Sequence, residues 1–101
     1  MVISVSISDD KRIATIKIKG RFDFSLHNEF RKAYKDLSIK GGEFIIDLGL
    51  TEYLDSSALG MMLLLKEHAD AMTCKVKIQN PNDNIREILQ IASFDKLFVL
   101  A

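Results

Sequence analysis

The sequence predicts a single α/β domain over residues 1–101, with an N-terminal hairpin and helices packed on a mostly parallel central sheet. Three observations carry that prediction. Two period-two stretches open the chain, separated by a short polar turn. Strands and helices then alternate to the end. One strand in that alternation, around Phe44–Leu48, is apolar at consecutive positions, as the middle of a parallel sheet requires. The resulting order, β-β-α-β-α-β-α-β, implies right-handed crossovers between parallel strands.

The stretch ISVSIS places Ile3, Val5 and Ile7 on one side and Ser4, Ser6 and Ser8 on the other, the period of a half-buried strand. SDDK is a turn-prone cluster. RIATIKIKG alternates again, with Ala14, Ile16 and Ile18 facing one way and Thr15, Lys17 and Lys19 the other, so the two runs form a hairpin. Gly20 closes the second strand and RFDF is expected to be a loop. Ser25 is a candidate cap for a helix whose stripe is Leu26, Phe30, Ala33, Tyr34 and Leu37. Gly41-Gly42 stops the chain before the central strand. A helix is expected from about Ser56 to Met72, followed by a strand with Val76 and Ile78 inward. Asn80 and Pro81 read as cap and first residue of a third helix, with Ile85, Ile88, Leu89 and Ala92 as its stripe. KLFVL is the last strand. No repeat, low-complexity tract or linker divides the chain.

Composition excludes several classes of function. Apolar residues make up 48% and charged residues 28%, an ordinary globular balance. Fourteen basic residues cancel fourteen acidic ones, so charge gives no case for nucleic acid or an anionic membrane. A lone cysteine, Cys74, forms no intramolecular disulfide and fits a reducing compartment. The N-terminal Met1–Val5 stretch lacks the basic start of a signal peptide. The longest apolar run, Ala58 to Leu65, is far shorter than the roughly 20 residues that span a bilayer. A cytoplasmic protein is expected.

The stretch YLDSSALGMMLLL, residues 53–65, sets an acid and two serines before an uncharged run. A serine nucleophile at Ser56 would need a base within about 3 Å. His68, on the same expected helix, lies ~18 Å away along the axis. Nothing in the sequence brings His27 there, and no G-x-S-x-G elbow is present. No metal-ligand spacing or phosphate loop occurs either. The Met61-Met62 pair reads as core packing and Cys74 as a small buried or half-buried residue. Asp55-Ser56-Ser57 by itself reads as a helix cap, since Ser and Asp are preferred there. From Glu43 to Asp55, four acids (Glu43, Asp47, Glu52, Asp55) occur with no Lys or Arg, which suggests an acidic patch for a basic partner.

IIDLGLTEYLDSSALG, residues 45–60, resembles the core of STAS domains, the bacterial anti-sigma factor antagonists. Their pattern is an apolar strand ending in Asp-Leu or Asn-Leu, a short turn, then Asp-Ser-Ser/Thr-Gly-Leu-Gly opening a helix. KGRFDFSLHNEF is similar to the family's Gly-x-x-Asp segment, and the element order agrees over nearly the whole chain. The resemblance implies a STAS-like fold and a regulatory protein rather than an enzyme, with no cofactor and no metal. It implies phosphorylation at Ser56, with Ser57 as runner-up, by a serine kinase that is often the anti-sigma factor itself. A PP2C-type phosphatase would reverse it, and the unphosphorylated form would bind the partner. Asp23, Asp55, Ser57, Ala58 and Leu59 are then the implied partner contacts. Two departures stand out: Ala58 replaces the usual glycine, and the sequence ends at Ala101 where many relatives continue into a helix. Two other readings stay open: a module of this fold sensing a small anion or nucleotide at the same helix end, and a structural subunit of a signalling complex.

Overall fold

The computed structural model describes residues 2–37, 39 and 41–101; Met1, part of the stretch read for a signal peptide, lies outside them. In chain order the elements are β1 (Ile3–Ile7), β2 (Ile13–Ile18), β3 (Gly20–Phe22), α1 (His27–Tyr34), β4 (Glu43–Asp47), β5 (Thr51–Leu54), α2 (Ser56–Ala71), β6 (Lys75–Gln79), α3 (Asp83–Ile91) and β7 (Val99–Leu100). Five strands form one sheet in the order β1-β2-β4-β6-β7. The β1–β2 pair is antiparallel and the other pairs are parallel. The predicted α/β class, hairpin and mixed sheet are therefore present.

The hairpin turn is built by side chains. Ser8 Oγ donates to the Asp10 carboxylate at 2.6 Å and accepts the Ile13 amide at 3.0 Å. Across the sheet, register lines up Val5, Ile16, Ile46 and Ile78, and beside them Ile7, Ala14, Phe44 and Val76. These alternates form one face, and the buried apolar side chains of all three helices join them in a single core. The opposite face carries Ser4, Ser6, Thr15, Lys17, Ile45, Asp47, Lys77 and Gln79, none of them buried. The expectation that the central strand is covered on both faces is thus corrected. Ile45 is only half-buried, between Thr15 and Lys77 in register.

The hairpin strand is also less covered than its alternation suggests. Ile3 is buried, but Val5 and Ile7 are 40% and 44% exposed. β1 is a sheet edge, and α1, only 8 residues long, reaches over its start alone.

A larger departure comes after β2. Gly20, at φ +81°, turns the chain out of the main sheet, and Gly20–Phe22 pair in parallel with Thr51–Leu54 as a separate two-stranded sheet. RFDF therefore begins as a strand, not a loop. Thr51, the one buried polar side chain among the described residues, ties this small sheet to the large one through Oγ1 to the Ile18 carbonyl at 2.7 Å.

Helix starts are shifted as well. Asp23, not Ser25, caps a 3₁₀ turn over Phe24–Leu26 that runs into α1. Asn82, not Asn80, caps α3 by accepting the Ile85 amide at 2.8 Å. Asn80 adopts φ +60° and ends β6 instead, which its short amide side chain tolerates. The last strand shrinks to Val99–Leu100 because Phe94–Lys96 forms a 3₁₀ turn that buries Phe94. Gly42 marks a close approach: a Cβ there would meet the Arg12 carbonyl oxygen at 2.0 Å. Cys74 is buried, as expected, with Sγ 3.1 Å from the Ile39 carbonyl.

Candidate functional site

The small sheet is what assembles the site. Its ladder ends at the pair Phe22↔Leu54, so Asp23 and Asp55, distant in sequence, leave it side by side. Both are extended, and each caps the helical turn that begins after it. Asp23 accepts the Ser25 amide at 3.0 Å, and Asp55 accepts the Ala58 amide at 3.0 Å. The segments that stood apart in the sequence, Gly20–Asp23 and Asp55–Ser57, thus meet at one edge.

The capping role belongs to Asp55 and not to the serines. Ser56 is the first helical residue of α2 and is exposed; Ser57, next to it, is half-buried. Among the described residues neither hydroxyl takes part in a hydrogen bond. The Ala58 and Leu59 amides already donate to the Asp55 carbonyl, so a group added at Ser56 meets the Ser56 and Ser57 amides, which precede the first helical hydrogen bonds, and the positive end of the helix dipole.

Each remaining expected contact has a definite place. Leu59 is half-buried against the core. Ala58 is fully buried, so its methyl faces inward, and its inclusion among the partner contacts is corrected. The stripe continues through Met61, Met62, Leu65 and Ala69, which confirms the methionine pair as core. His68 stacks near Tyr34 and Phe44, with ring centroids 5.1 and 6.3 Å away, well down the helix from Ser56.

The four acids do not form one patch. Glu43 starts β4, beside Ile13 and Lys75, while Asp47 ends the same strand beside Lys17. Acidity at the site comes from Asp23 and Asp55. It is tempered by Arg21, whose guanidinium lies 4.2 Å from the Tyr53 ring centroid and whose Nε is 3.5 Å from Asp23 Oδ2. The Ser25 hydroxyl and amide, with help from Arg21, hold the Asp23 carboxyl below the ordinary aspartate range.

Sequence reasoning missed the rim of the site. Phe24 and Tyr53 are 68% and 43% exposed, and Arg21 packs on the second of them. The period-two pattern Arg21-Phe22-Asp23-Phe24 was the available signal for a strand here. Among the described residues no group of His, Cys, Asp and Glu could hold a metal ion, and no helix is long and apolar enough to cross a membrane.

Comparison with known proteins adds to this geometry. The family model described as Mlab, STAS domain, matches residues 5–100. A STAS-domain containing protein of Pseudomonas aeruginosa (strain UCBPP-PA14) is 42% identical over 101 residues, covering 100% of both chains. An anti-sigma factor antagonist from Mycobacterium paratuberculosis shares the fold at TM-score 0.71 and 20% identity, over 97% of this chain and 84% of that one. The anti-sigma factor antagonist SpoIIAA in its unphosphorylated form aligns at TM-score 0.74 and 16% identity, over 98% and 86%. The phosphorylated form of Bacillus SpoIIAA aligns at 0.70 and 16%, over 98% and 90%.

Proposed function

The chain belongs to the STAS domain family, and from that premise we propose that it is a partner-switching regulator controlled by phosphorylation of Ser56. The observation that carries this reading is the placement of Ser56. Its exposed hydroxyl directly follows the capping Asp55, beside Asp23, while Ser57 is half-buried. A serine kinase of the anti-sigma type adds the phosphate, and a PP2C-type phosphatase removes it. That the related fold of SpoIIAA occurs in unphosphorylated and phosphorylated forms supports the reading.

The physical mechanism is a change of surface without refolding. Phosphate brings about −1.5 to −2 charge to the edge already holding Asp23 and Asp55. The helix start tolerates that anion, so α2 persists. A partner seated on the Phe24 and Tyr53 rim, with basic groups facing Asp23 and Asp55, accommodates a neutral hydroxyl. It would meet a bulky, hydrated dianion poorly. Asp23, Asp55, Ser57 and the exposed edge of Leu59 are the remaining contacts.

The test is mass spectrometry after incubation with the cognate kinase, paired with binding measurements. Phosphate is expected on Ser56, and its presence only on Ser57 overturns the choice of residue. Ser56→Ala should stay folded and bind constitutively, and Ser56→Asp should bind more weakly. Backbone amide shifts on phosphorylation should be confined to the surroundings of residue 56; changes spread through the sheet would contradict a surface switch.

A further inference from the structure

The free edge of β1 lacks the usual defences against strand pairing. Such edges are normally blunted by charge, proline, a bulge or shortness. The opposite edge, β7, is only two residues long. By contrast β1 is five residues, pairs with β2 without a register shift, and contains no charged residue and no proline.

Its backbone polarity is known from its ends. The Val2 carbonyl accepts the Lys19 amide and the Ser8 amide donates to the Ile13 carbonyl, so the even-numbered residues address β2. Antiparallel pairing alternates this direction along a strand. Ile3, Val5 and Ile7 therefore turn their N–H and C=O groups to the open side. Their side chains lie on the core face of the sheet, where Val5 and Ile7 remain 40% and 44% exposed.

The strand sequence Ile3-Ser4-Val5-Ser6-Ile7 is a palindrome about Val5. We propose that β1 pairs with β1 of a second copy of this chain, antiparallel and two-fold symmetric about Val5, to make one continuous sheet. In that register Val5 faces Val5, Ser4 faces Ser6 and Ile3 faces Ile7 of the other copy. Every outward N–H and C=O of Ile3, Val5 and Ile7 then meets its complement in a reciprocal pair. Like faces like: apolar on apolar, hydroxyl on hydroxyl, with no charge opposed to its own sign. The operation keeps both cores on the same face. It sets each exposed Ile7 beside the other copy's Ile3, the part of β1 that α1 covers. The groove beside β1 is flanked by Glu29 and Lys32, of opposite sign, and the register brings to it the other copy's Ile7 end, whose Asp9 and Lys11 are likewise of opposite sign. The pairing is isologous and closes at two chains. This inference does not rest on the phosphorylation of Ser56.

A single strand edge buries less than the about 1,200 Å² of a standard stable interface, so association should be weak and concentration-dependent. Sedimentation velocity with the full chain, in a series reaching about 1 mM, should show a monomer–dimer equilibrium. Amide shifts on dilution should centre on Ile3, Val5 and Ile7. Val5→Lys sets two like charges face to face on the axis and should weaken the dimer by about tenfold or more. Mixing Val5→Lys with Val5→Glu should restore pairing, and circular dichroism checks that both variants are folded. A wild type that stays monomeric throughout overturns the proposal and leaves the edge to a strand from another protein. Dimerisation undiminished in Val5→Lys, or assemblies larger than two, overturns it equally.

Discussion

Asp55 gives its carboxylate to the Ala58 amide and leaves Ser56 with no structural duty, although either residue type is suited to a cap. The two positions should therefore respond differently to alanine. Asp55→Ala should lower stability by about 1 kcal/mol in a urea titration, because an early amide of α2 loses its acceptor. Ser56→Ala should be close to neutral in the same assay. Asp23 makes the equivalent contact at the neighbouring strand end, and its depressed pKa gives a second test. Hydrogen bonds from the Ser25 hydroxyl and amide favour the carboxylate. Because the folded-state pKa lies below the unfolded one, the contact's stabilisation is present at neutral pH and fades only as pH falls through the depressed folded value. NMR titration should place the Asp23 carboxyl below ordinary aspartates, and Ser25→Ala should move it back upward.

At the scale of elements, the small β3–β5 sheet decides where the site lies. It is held at its base by Thr51, whose hydroxyl reaches the Ile18 carbonyl and whose own carbonyl accepts from Asn82 Nδ2 at 3.4 Å. Asn82 also caps α3, so one short chain of hydrogen bonds links β2, β5 and α3. Thr51→Val keeps the shape but strands a buried acceptor, and should cost about 1–2 kcal/mol in thermal or urea unfolding. The sequence did not disclose this sheet. Thr51–Leu54 is buried only at its two ends, so its pattern follows neither helix nor strand period. The turn of chain at Gly20 hid the strand character of Arg21 and Phe22. Helices were easier to read, because α1, α2 and α3 each bury one stripe at helical spacing. Their first residues were harder: Ser25 and Asn80 are suitable caps by type, yet Asp23 and Asn82 hold those roles through contacts that only the folded chain brings about.

Across the whole molecule, the alternation of strands and helices was legible because each βαβ unit must bury its own apolar stripe. What alternation could not show was which sheet face remains open. Ile45 sits amid Phe44, Ile46 and Leu48 in the sequence, so the strand looks buried throughout. Only the register, which places Thr15 and Lys77 on either side of Ile45, reveals a polar outer surface. The site was legible in a different way: its motif was continuous from Asp55 to Leu59. Its other half, Gly20 to Asp23, came from resemblance, and its apolar rim from the structure alone.

The division of labour between Asp55 and Ser56 reaches beyond binding. Where a modified residue also caps a helix, adding phosphate changes how often the chain opens and so how fast proteases remove it. Here Ser56, the proposed site, holds no part of the cap, which belongs to Asp55. Phosphate on Ser56 would meet the early helix amides and the positive end of the dipole, so the phosphorylated form should open no more often, and be degraded no faster, than the unmodified one. Under the proposed switch, proteolysis would not deplete the phosphorylated form.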